Sequence, residues 1–157
     1  MRKFKFNLQR VLDYRESIEE KLLMELAAVR ARHDREVAKL AEITRHRDRF
    51  RRRMKERLSA GDPEEIRRAH HYMEDLVRQI KAQQVAVTEA AEARQSKTAE
   101  VVEAAKDRKV LERLRDYRLV EHTSETRALE QKFLDDVASI RSNRARSIRR
   151  PGFGGVS

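Results

Sequence analysis

Two long stretches, residues 1–60 and 64–150, contain neither glycine nor proline. Gly61, Pro63, Pro151, Gly152, Gly154 and Gly155 are all the chain has of either. A sandwich, barrel or α/β fold needs turn residues at intervals of roughly 8–12 residues. This chain punctuates itself once in the interior and once near its end. Only helices fill uninterrupted stretches of such length. Ala, Glu, Lys, Leu and Arg make up more than half of the residues, the composition of a coiled coil or long helix.

The apolar spacing agrees. From Phe4 a stripe runs Leu8, Val11, Arg15, Ile18, Leu22, Leu26, Val29, His33, Val37, Leu40, Ile43, Arg47, Phe50, Met54, Leu58 at a mean step of 3.6. This predicts helix 1 over residues 1–60. Ser59-Ala60-Gly61-Asp62-Pro63-Glu64-Glu65 reads as the break, with turn 61–63. Gly61 is expected to close helix 1. Asp62 caps helix 2, Pro63 takes its first position, and Glu65 completes a capping-box pair. Helix 2 is expected over 63–147. Its stripe includes Ile66, Met73, Val77, Ile80, Gln84, Val87, Val101, Leu111 and Leu114, and later Leu129, Phe133, Val137 and Ile140. Residues 148–157 are expected to be a disordered tail.

The predicted fold class is all-α: one domain, a long antiparallel two-helix coiled coil (an α-hairpin) with helix 2 extending beyond helix 1. Folding about Gly61 pairs residues whose numbers sum to about 122. Ala27, Ala28, Ala31 and Ala38 then face the zone of Ala86, Ala90, Ala91 and Ala93. Phe4 comes opposite about residue 118. Residues 119–147 are left without an intrachain partner, yet they carry the stripe Leu129, Phe133, Val137, Ile140. A bare apolar stripe on a single helix marks a docking face for another protein.

Several classes of function fall away. The chain has no Cys, hence no disulfide, thiolate metal site or thiol nucleophile. No phosphate-binding or nucleophile-elbow motif occurs. A two-helix rod offers no enclosed pocket for its many carboxylates, so neither catalysis nor a cofactor is expected. His70 and His71 point about 100° apart on a helix and do not chelate as an i,i+4 pair. No apolar run reaches the ~18–20 residues of a membrane span, and the first residues do not read as a signal peptide.

The formal charge of +10 is uneven. Residues 45–57 hold eight Lys/Arg and two acids, among them Arg45, Arg47, Arg49, Arg51, Arg52 and Arg53. Residues 141–157 add Arg141, Arg144, Arg146, Arg149 and Arg150 with no acid. An acidic protein surface, an anionic lipid, a nucleic acid or plain solvation would each suit these clusters. Tyr72, Leu76, Gln79 and Gln83 form a second short stripe beside Met73, Val77, Ile80, Gln84. Tyr72 and Leu76 are expected to form an apolar shoulder of helix 2, either widening the core or meeting a partner.

Three segments resemble a known family. The start, Phe4-Lys5-Phe6-Asn7-Leu8-Gln9-Arg10-Val11-Leu12-Asp13-Tyr14-Arg15, is similar to the F-x-F-x-L-x-x-V-L-x-x-R opening of the flagellar export protein FliJ family. Lys106-Asp107-Arg108-Lys109-Val110-Leu111-Glu112-Arg113-Leu114 resembles its K-x-x-K-x-L-E-x-L block. Glu130-Gln131-Lys132-Phe133-Leu134-Asp135-Asp136 resembles its E-Q-K-x-L-D-[ED] block. The resemblance implies a non-enzymatic, cytoplasmic coiled-coil stalk of the flagellar type III export apparatus. Such a protein lies at the inner membrane of the flagellar base, held there through its partners. The implied partners are the export ATPase hexamer, whose assembly it promotes, the cytoplasmic domain of the export gate, and export chaperones. Nucleic acid is not among them. By the same likeness the ATPase contact falls on Phe4, Phe6, Leu8, Leu129, Phe133, Val137 and Ile140, and the gate contact on Tyr72, Leu76, Gln79 and Gln83. Two alternatives stay open: the equivalent stalk of a virulence secretion system, and a basic nucleic-acid-binding coiled coil.

Overall fold

The computed structural model describes residues 3–57 and 61–148, with side chains to residue 144. It contains two helices packed against each other, and no strand occurs among the described residues. Helix α1 is Gln9–Arg57 and α2 is the longer Pro63–Ile148. They form two compact units. One is Asp13–Arg108; the other joins the described parts of Met1–Leu12 and Lys109–Ser157. The predictions for Met1, Arg2, Leu58, Ser59, Ala60 and residues 149–157 lie outside the described residues, and Ile148, expected in the tail, is the last residue of α2.

The unit Asp13–Arg108 is an antiparallel hairpin. Arg15 Nη1 donates to Asp107 Oδ2 at 2.9 Å, Lys97 Nζ to Glu25 Oε2 at 3.0 Å, and Gln83 Nε2 to Glu36 Oε2 at 2.6 Å. The rings of Phe50 and Tyr72 meet edge-on at 4.6 Å. Three of these four pairs sum to 122, as expected of a fold about Gly61. Burial is thin. Leu26, Leu76, Ile80, Ala90 and Ala104 are the buried apolar residues of this unit. Two helices alone have no third layer to close over the seam, so flanking positions stay half-exposed.

Three expectations are corrected. On α1, Val37 is exposed, and Glu36, held by Gln83, takes the seam position. On α2, Leu76 is 3% exposed and Val77 38%, so the seam runs through Leu76, Ile80 and Gln83 while Ile66, Val77 and Gln84 lie outside it. Leu76 presents three γ/δ carbons to the seam where Val77 presents two, and the longer side chain wins the burial. Ala27, Ala28, Ala31 and Ala38 are all exposed, as is Ala93. The small residues at the seam come from α2 alone, with Ala86 and Ala91 half-buried beside Ala90 and Ala104. The expected close of helix 1 at Gly61 turns on Ser59 and Ala60, which lie outside the described residues. At the start of α2, Asp62 O accepts from Ile66 N at 3.1 Å and its carboxylate lies 3.5 Å from Glu64 N, while no bond from Glu65 back to Asp62 N occurs among the described residues.

In the other unit, α1 begins at Gln9 and not at residue 1. Residues 3–6 are non-helical and Asn7-Leu8 forms a turn. Leu8 O accepts from Val11 N and Leu12 N, which makes Leu8 the cap, and Leu8 and Val11 are exposed. Leu12 is fully buried.

Candidate partner-binding surfaces

The N-terminal arm sits against α2. Phe4 and Phe6 are half-buried, and the ring of Phe4 meets that of His122 edge-on at 5.7 Å. Phe4 to Leu8, with Leu114, Arg118, Glu121, His122 and Glu125, line a shared depression. The arm reaches four residues past position 118 because extended chain rises more than twice as far per residue as a helix. Intrachain cover on α2 therefore extends to about residue 125 rather than 118.

Beyond it, the face is bare. Leu129 is 69% exposed, Phe133 67% and Ile140 62%, while Val137 is half-buried. Leu134, also exposed, joins Leu129 and Phe133 around a shallow apolar groove that includes His122 and Thr126. Exposed aromatic and aliphatic groups in such density exceed what solvation of a single helix accounts for. The sequence reading named neither Leu134 nor His122: Leu134 sits one position to the side of the stripe at Phe133, and His122 lies on its backward continuation through Thr126.

At the turn end of the hairpin unit, Tyr72 is 40% exposed. His46 Nε2 lies 2.8 Å from the Tyr72 hydroxyl, and Phe50 packs on the ring. Met54, Arg53, Arg68, Glu65 and Ala69 complete a shallow depression around them. His46 and Phe50 were not grouped with Tyr72 from sequence, although Phe50 and Tyr72 themselves sum to 122. Of the four positions given to the gate by likeness, Tyr72 and Gln79 are exposed. Leu76 is buried in the hairpin, and Gln83 donates to both the Glu36 carbonyl and its carboxylate. That bond holds the Glu36 carboxyl below its ordinary value, with Lys39 and Arg32 assisting.

The basic stretch surrounds one acid. Arg47 donates twice to Asp48 Oδ1, at 3.0 and 2.8 Å, and this pairing lowers the Asp48 carboxyl, with Arg51 and Arg52 adding their field. Arg45, Arg49, Arg52 and Arg53 are exposed and form no ion pair among the described residues. Arg141 and Arg144 are exposed near the end of α2. The side chains of Arg146, Arg149 and Arg150 lie outside the described residues. Between the clusters, Lys97 bridges Glu100 at 2.7 Å and Glu25 at 3.0 Å, and these two carboxylates raise its pKa in that order.

No group of three His, Cys, Asp or Glu among the described residues is arranged to hold a metal ion. No helix of the described residues is long and apolar enough to cross a membrane.

The profile of one protein family, described as the flagellar FliJ protein, matches residues 4–147. The chain belongs to the flagellar FliJ family. The match begins at Phe4, the first residue of the arm that packs on α2, and closes at the end of α2, so it takes in both helices and the turn. Membership places the chain in flagellar biosynthesis and type III protein export. No curated protein and no solved structure matches the chain. The helical hairpin fits the coiled-coil character of an export component of structural or regulatory kind.

Proposed function

We propose that this chain is the coiled-coil stalk of the flagellar export apparatus. It binds the export ATPase ring, promotes the ring's assembly, and links it to the export gate and to chaperones. It works at the cytoplasmic side of the inner membrane, held there by those partners. The observation that carries this reading is the bare apolar face of α2 at Leu129, Phe133, Leu134 and Ile140. A face of this kind costs solubility unless something covers it, and a ring with an apolar bore covers a helix on all sides. Phe4, Phe6 and Leu8, set beside the start of that face, supply the rest of the ATPase contact. ATP hydrolysis takes place in the partner; the stalk contributes binding energy alone.

The gate contact falls on the exposed Tyr72 and Gln79. Leu76 and Gln83 support it from beneath, since they hold the hairpin that presents Tyr72.

The test is a chain truncated after Thr126, which keeps the Phe4–His122 contact and removes the bare face. It should keep its helical signal per residue by circular dichroism and lose co-purification with the export ATPase. Retention of the ATPase by the truncated chain at the full-length level would refute the assignment.

A further inference from the structure

The bare face of α2 beyond the N-terminal arm is complementary to itself. Intrachain cover ends near Glu125, and the described side chains continue to Arg144. Leu129, Phe133, Val137 and Ile140 stand at steps of four, four and three. Such steps give a period of ~3.67, so the face runs nearly straight along the helix. Charges border it on both sides. At ~100° per residue, Glu130 and Arg141 fall within ~20° of each other on one flank, and Lys132 and Asp136 within ~40° on the other. All four are exposed, as are Leu129, Phe133 and Ile140.

Laid antiparallel on a second copy about a two-fold axis, this segment brings together residues whose numbers sum to about 270. Leu129 then meets Ile140, and Phe133 meets Val137. In an antiparallel pair each flank faces the same flank of the other copy. Glu130 therefore meets Arg141 on one side, and Lys132 meets Asp136 on the other. The two-fold axis makes every one of these contacts twice. The ends match as well. Thr126, just past the depression under the arm, meets Arg144, so the pairing takes up the bare length and leaves Phe4 on His122. A parallel pair brings opposite flanks together. It keeps one attraction, Asp136 with Arg141, but sets Glu125 beside Glu130 and crowds the two arms at one end. Flanking charges set the orientation of paired helices, and here they select the antiparallel one.

We propose that residues 126–144 of α2 pair antiparallel with the same residues of a second copy of this chain. The seam is about 27 Å long and open on both sides, so the pair is a reversible one. The pairing is a property of the chain alone and is measured without the ATPase. The ATPase contact proposed above uses the same face, so the second copy and the ring exclude each other; that consequence alone rests on the earlier reading.

The experiment is sedimentation equilibrium of the full chain from about 1 to about 300 µM. The mass should rise from 18.6 kDa towards twice that value. Phe133→Asp should hold the mass at 18.6 kDa and keep the circular dichroism, because the ring is exposed in the single chain. Glu130→Arg should weaken the pairing about tenfold or more, and adding Arg141→Glu should return it to within about threefold of wild type. Orientation is read by oxidising chains that carry one cysteine each, since the sequence has none. Thr126→Cys and Arg144→Cys chains, mixed, should cross-link to each other and neither to itself. Three results would overturn the proposal: a mass of 18.6 kDa at every concentration, which leaves the face to a different protein; no recovery in the variant carrying both Glu130→Arg and Arg141→Glu; or a cross-link of the Thr126→Cys chain to itself.

Discussion

Replacing Leu76 and Val77 by alanine, one at a time, tests the helix register directly, because these adjacent residues exchange roles between the apolar pattern and the folded hairpin. Leu76 is 3% exposed and Val77 38%. Leu76→Ala removes three buried carbon groups at about 0.8 kcal/mol each, so the loss is about 2.4 kcal/mol before any cavity contribution. A two-helix seam is open on its sides and relaxes into the space, which keeps the cavity contribution small. Val77→Ala removes two groups that are only partly covered, about 1 kcal/mol, and regains about half a kcal/mol because alanine is the better helix former. The expected difference is about 2 kcal/mol, or roughly 4–8 °C in Tm for a chain of this length. Urea titration followed by circular dichroism at 222 nm measures it, provided the slope stays constant between variants. Equal shifts for the two substitutions, or a larger one for Val77→Ala, would place Val77 on the seam and refute the register. The same pair guards the gate assignment: a gate-binding defect in Leu76→Ala must be corrected for lost hairpin stability before it is read as a lost contact.

Asp62→Ala removes the cap of α2 and should cost about 1 kcal/mol by urea titration, with little change in the distal part of α2. Gln83→Leu should let the Glu36 carboxyl climb back towards its ordinary 4.5, read by carboxyl 13C NMR. Because the folded value is depressed, the stabilisation from this bond is present above 4.5 and is lost as pH falls through the lower folded value. Gln83→Leu should therefore flatten the acid limb of the stability profile, and an unchanged limb would show that the bond does not persist in solution.

The hairpin and its partner arithmetic were legible because they depend on two coarse facts, a single Gly-Asp-Pro break and an apolar period near 3.6. Arg15 with Asp107, Glu25 with Lys97 and Phe50 with Tyr72 all follow from the position of the turn. The choice between Leu76 and Val77 was not legible. A period of 3.6 tolerates either neighbour, and the decision falls to side-chain length and to the partner across the seam. Glu36 displaced Val37 for a similar reason: a hydrogen bond from Gln83 outweighs a partly buried valine on an open seam. The exposed alanines of α1 show that helix propensity, not packing, accounts for them. The bare face at Leu129, Phe133 and Ile140 was visible as a stripe without a counterpart. Its edge was misplaced, because counting in helical steps cannot register an arm that is not helical.

That arm also sets how much of α2 the chain shows to the outside. Leu114, Arg118, His122, Thr126, Leu129, Phe133, Val137 and Ile140 follow one another at steps of three and four, so the covered and the bare parts are a single helical face. Residues 3–6 carry no helical hydrogen bonds, so lifting them breaks none of the ladder of α1; what is surrendered is the Phe4–His122 ring contact and the bond from Gln9 N to Phe6 O. The arm thus covers the near end of a longer helical face, and a chain without residues 3–6 would show that face from Leu114 onward with the hydrogen bonds of both helices kept.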